Sequence, residues 1–168
     1  MKNRIRFFAA VIIGIAVSLN AADIYWTNRG GDQVWTNAAN WTGNIPSEAD
    51  AVRLNKAAAV QPVFSDGMNE TVKSVFIGMA EDSPAGFKMT GGKLTVLSAF
   101  EVNKSDTAKH QSIFEMSGGT LTVNGNFRIG WNDNDAAMNM TDGLITAEYG
   151  NVGEKALLAV RDGTIDIH

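Results

Sequence analysis

The chain has no cysteine and only two histidines. Without thiols there can be no disulfide framework, no thiolate metal site and no lipidated cysteine of a bacterial lipoprotein, so stability has to come from packing. With His110 in a polar loop and His168 at the last position, nucleophile-and-base catalysis has almost nothing to draw on. After its first six residues the sequence also lacks a Lys/Arg cluster, which argues against nucleic acid and anionic membrane surfaces as partners. After the first residues no apolar run approaches the roughly 20 needed for a membrane-spanning helix, so no membrane span is expected.

What is present begins with an export signature. Met1 to Arg6 is basic, Phe7 to Val17 is a short apolar run, and Ser18-Leu-Asn-Ala-Ala22 ends in small residues, which reads as a signal peptide over residues 1–22. Cleavage after Ala21 or after Ala22 fits equally, because the third residue before the cut is then Leu19 or Asn20. Three of the fourteen basic residues lie in this segment and all eighteen acids lie after it, so the remainder of roughly 147 residues carries a net charge of −7 and is sized for one domain.

Residues 23–48 hold three of the four tryptophans, Trp26, Trp35 and Trp41, among the turn signals Gly30-Gly-Asp32 and Gly43-Asn-Ile-Pro46. No period of 3.6 is visible, so short strands and turns are expected. Two roles are open for the tryptophans: stacking on sugar rings, or plugging the end of the domain that follows. Their place directly before the first repeat favours the plug. From Ala49 to Phe64 alternation comes in pieces, interrupted by Pro62, which suggests an irregular first turn with Pro62 on an edge or bulge.

Residues 49–168 are dominated by a repeat. Its turn segments are Phe87-Lys-Met-Thr-Gly-Gly-Lys-Leu-Thr-Val96, Phe114-Glu-Met-Ser-Gly-Gly-Thr-Leu-Thr-Val123, Met138-Asn-Met-Thr-Asp-Gly-Leu-Ile-Thr-Ala147 and Leu158-Ala-Val-Arg-Asp-Gly-Thr-Ile-Asp-Ile167, spaced 27, 24 and 20 residues apart. A third strand follows in the first three units: Phe100-Glu-Val-Asn103, Phe127-Arg-Ile-Gly130 and Gly150-Asn-Val-Gly153, with Val75-Phe-Ile-Gly78 preceding them all. Alternation with a period of two marks half-buried strands, and a repeat of this length marks stacked modules. The inward sets are Val75, Ile77, Phe87, Met89, Leu94 and Val96, then Phe100, Val102, Phe114, Met116, Leu121 and Val123.

The expected fold is all-β: a right-handed, single-stranded parallel β-helix of about four coils, the hand following the general preference of parallel crossovers. Outward columns would set Glu101 beside Arg128, Lys88 beside Glu115, and Thr95, Thr122 and Thr146 in a ladder. Gly92, Gly119, Gly143 and Gly163 would turn one corner with positive φ, and Gly78, Asn103, Gly130 and Gly153 a second. An array of β-hairpins is the alternative, since Gly-Gly and Asp-Gly between alternating strands are also hairpin signals; it would pair Met89 with Leu94.

The order Trp26, Gly30, Gly31, Asp32, Trp35, then Asn40-Trp41, Gly43, Pro46 and Asp50-Ala-Val52, followed by Ser74-Val-Phe-Ile-Gly78 and the Gly-Gly-x-Leu-Thr-Val turns, resembles the N-terminal region of large secreted bacterial surface proteins. These are autotransporter-like passengers and related proteins with pectin-lyase-like β-helix repeats. The resemblance implies a β-helical stalk or passenger with an adhesive function, and it brings no catalytic residue and no cofactor. Such proteins run to many more coils and finish in a barrel or sorting tail, whereas this sequence stops at His168 at a strand end. The expectation is a truncated chain, or an end covered by something else, self-association included.

Few residues suggest chemistry. Asn132-Asp-Asn-Asp135 is rich in oxygen ligands but lacks the spacing of a calcium loop and reads as a polar turn. Glu81-Asp82 and Asp162 carry less information still. Glu101 and Glu115 are expected to face outward in isolation rather than to form a glycosidase pair. Trp131, alone in a loop, is a candidate exposed contact. The sequence therefore points to an exported, non-catalytic structural or adhesive protein without metal, its partners extracellular polysaccharide or cell-surface components. A carbohydrate-binding module, or a polysaccharide-processing enzyme, is the alternative.

Overall fold

The computed structural model describes residues 21–55, 60–79, 84–103, 111–130 and 135–168. Alternating apolar residues build nine strands: β1 (Asp23–Tyr25), β2 (Ala51–Leu54), β3 (Val63–Phe64), β4 (Asn69–Ile77), β5 (Gly86–Val102), β6 (Ser112–Ile129), β7 (Ala136–Val152), β8 (Leu157–Val160) and β9 (Thr164–Ile167). Every ladder between them is parallel. The result is a parallel β-solenoid of about five turns, with a short 3-10 turn at Ala38–Asn40.

Strands β5, β6 and β7 each run through most of one coil, bending at corners so that one strand serves three faces. The first face stacks β3, 86–90, 112–117, 136–141 and β8; the second stacks 69–72, 93–96, 120–123, 144–147 and β9. The third stacks β1, β2, 74–77, 99–102, 126–129 and 149–152. Leu94 neighbours Leu121, and Leu121 neighbours Ile145, which neighbours Ile165. Met89 pairs with Met116 in the next coil and not with Leu94, so the hairpin array is excluded.

Register explains the core. Because parallel strands about 4.8 Å apart carry like residues at like positions, inward side chains form columns. Phe87, Phe114, Met138 and Leu158 make one, and Met89, Met116, Met140 and Val160 another. All twelve inward residues expected in the first two units are buried. Aromatic rings bind adjacent columns together: Phe87 stacks on Phe114 at 5.6 Å and Phe100 on Phe127 at 5.7 Å, while Phe100 and Phe114 meet at 4.9 Å.

The first corner behaves as expected, with φ of +72°, +87°, +110° and +116° at Gly92, Gly119, Gly143 and Gly163. At the second corner Gly78, Asn103 and Gly130 are left-handed, and each donates its N–H to the coil before. Gly153 makes the same hydrogen bond without a positive φ. What suits a glycine there is space, since a Cβ would lie 3.0 Å from the Gly130 carbonyl oxygen.

Two boundaries are sharpened by the structure. The irregular first turn expected ahead of the four repeats is a coil of its own, built from β3 and the start of β4, with Gly67 in its turn at φ +81°. Pro62 stands directly before the short strand β3, where a proline costs no ladder bond. The segment 23–48 is not purely a cap, because β1 already pairs with β2 as the first rung of the third face.

Candidate functional site

The tryptophans decide the first question. Trp26, Trp35 and Trp41 are 2%, 0% and 4% exposed, packed edge to face at 4.9 and 4.8 Å, with Trp35 resting on Phe64 and Phe87 at 5.5 Å each. The Trp26 Nε1–H donates to the Val60 carbonyl at 2.7 Å and the Trp41 Nε1–H to the Trp35 carbonyl at 2.7 Å. These rings close the aromatic core and offer no face to a sugar.

Polar residues hold the plug in place. Asp32 accepts from the Val34 N–H at 3.0 Å, the Asn40 amide at 2.6 Å and the Asn37 amide at 2.7 Å, and these bonds, the Val34 one first, hold its carboxyl below the ordinary value. Asn40, fully buried, accepts from the Gly30 N–H at 2.8 Å with its side-chain oxygen. Asp50 joins the plug to the first rungs. Burial pushes its carboxyl up, but the Ser47 hydroxyl and N–H, at 2.7 and 2.9 Å, together with the Ala22 N–H at 3.3 Å, outweigh burial and hold it below normal.

The carboxylates considered for catalysis do not converge. Glu115 lies on the first face and Glu101 on the third. Glu101 departs from expectation: it faces away from the core but is only 3% exposed, and it pairs with the Arg128 guanidinium at 3.0 Å. Lys88 does stand beside Glu115, and Thr71, Thr95, Thr122 and Thr146 form the outward ladder. His168 is exposed, 3.8 Å from Asp166. His110, Trp131, Glu81, Asp82 and 132–134 lie outside the described residues, while Asp135 is exposed and its carbonyl accepts from the Asn103 amide. Among the described residues no three His, Cys, Asp or Glu side chains gather as a metal site.

The outward side of the third face holds a polar surface. Its two columns end in Asn126 beside Tyr149 and Arg128 beside Asn151. These four line one shallow depression of about 280 Å³, floored by backbone of Phe127 and Gly150. The Arg128 guanidinium bridges Glu101 at 3.0 Å and the Asn126 side-chain oxygen Oδ1 at 3.3 Å, so it is fixed in orientation and its charge is matched. Tyr149 is 58% exposed, the most open large apolar side chain among the described residues. Sequence reasoning passed over it, although a signal was there: its column otherwise runs Ala51, Ser74, Ala99 and Asn126, all small or polar.

No protein family model matches the chain, no curated protein matches it, and no solved structure matches it.

Proposed function

We propose that the chain is an exported, non-catalytic structural or adhesive surface element, a passenger-like β-helix that displays its outward faces. The observation that carries this reading is the uniformity of the coils: apolar columns fill the interior from the tryptophan plug to β9. The separation of Glu101 and Glu115 onto different faces supports it against a polysaccharide-processing enzyme, because an acid pair has to flank one scissile bond. In the terminal coil, Leu158, Val160 and Ile167 are exposed at inward register positions. Exposed strand edges beside them form a surface suited to a further coil or to self-association.

Expression with residues 1–22 in a bacterial host tests the export half. Intact mass of the secreted product is expected to show loss of 21 or 22 residues, and retention of the full mass inside the cell overturns it. Incubation with plant and bacterial polysaccharides tests the other half. No new reducing ends or unsaturated sugars are expected, and turnover that disappears in Glu101→Gln or Glu115→Gln contradicts the reading.

A further inference from the structure

We propose that the depression around Tyr149 is a binding subsite for a neutral sugar ring of an extended polysaccharide. This deepens the adhesive reading above and rests on it for the setting in which the ligand is met. Three observations carry it. Tyr149 presents an open aromatic ring at an outward position on the last rung of the third face. Asn126 lies one rung away, about 4.8 Å, and Asn151 two residues along the strand, about 6.7 Å, so two amides stand around the ring at the spacing of hydroxyls on one or two pyranoses. The Asn151 amide both donates and accepts, as a hydroxyl partner has to, while Asn126, whose Oδ1 accepts from Arg128 at 3.3 Å, offers its NH2 as a donor.

Charge selects the ligand class. Glu101 matches the one guanidinium lining the depression, so the subsite holds no net positive charge for a carboxylate-bearing sugar. After removal of the signal the chain carries −7, which repels an anionic polymer as a whole. A neutral glycan meets neither obstacle. An aromatic face gives it apolar contact across its C–H groups, and a rigid β surface binds it with little loss of side-chain freedom.

Affinity electrophoresis of the secreted chain tests this, through gels containing xylan, hydroxyethylcellulose, galactomannan or soluble starch, with polygalacturonate as the anionic comparison. At least one neutral polymer is expected to retard the chain. Tyr149→Ala should weaken that retardation about tenfold and Asn151→Ala about fivefold, while Tyr149→Phe retains it. Melting temperatures of all three variants should match the parent, because these side chains are exposed. Absence of retardation by every neutral polymer, equal retardation of Tyr149→Ala, or retardation by polygalacturonate alone overturns the proposal. The mass of the exported product is independent of these outcomes, so failure of the subsite and failure of the export reading are told apart.

Discussion

Gly119 carries two constraints at once. Its φ of +87° disfavours any side chain, and a Cβ there would lie 2.6 Å from the Gly91 carbonyl group one coil below. Gly119→Ala is therefore expected to cost about 2–4 kcal/mol in chemical denaturation, strain and overpacking together. A loss under 1 kcal/mol would mean that the coils are further apart at this corner. The repeat made this glycine legible, since it recurs one residue before each second-face strand. Gly125 was not legible: it is required because a Cβ would meet the Ser98 carbonyl oxygen at 2.0 Å, a contact with no local signature. Asp32 sets a pH response at the same scale. Its carboxyl is depressed in the fold, so its contribution is present above the ordinary value of 3.8 and is lost as pH falls through the lower folded value. Asp32→Asn should flatten the fall of melting temperature below about pH 4, and curves that stay parallel to the parent would remove Asp32 from the acid response.

At the scale of the element, strands are defined by what lies above and below them more than by what lies beside them in sequence. Leu94 and Leu121 are fully buried and adjacent in one column, whereas Leu94 and Ile165 stand three rungs apart, roughly 14 Å. Leu94→Ala and Leu121→Ala should each cost about 2–5 kcal/mol. Together they should depart from additivity by about 0.5–3 kcal/mol, while Leu94→Ala with Ile165→Ala should add. Equal coupling in both pairs would contradict the column. Period-two alternation revealed these strands wherever three of them recurred in register. It showed the first turn only in pieces, because the two residues of β3 after a proline are too few to alternate. It placed Glu101 correctly on an outward column and still misjudged it, since alternation gives the side of a strand and not what covers that side.

In the whole molecule each coil packs chiefly on its neighbours, with the Gln61 amide reaching Glu115 two coils on as an exception, so stability accumulates coil by coil and depends on what closes the ends. The N-terminal end is closed by Trp26, Trp35 and Trp41 at no cost in exposed apolar surface, and that plug was legible from its place in the sequence. The outward surface was less so: Tyr149, Asn126 and Asn151 come from separate coils and meet only once the register is known. Both functional proposals depend on that register, one for the filled interior and one for the neighbours of Tyr149. Backbone and methyl NOE spectroscopy of residues 22–168 tests it most directly. The account predicts contacts between Leu94 and Leu121 and between Leu121 and Ile145, in the cross-strand pattern of parallel ladders. Close Hα–Hα contacts pairing Met89 with Leu94, the mark of an antiparallel hairpin, would contradict it.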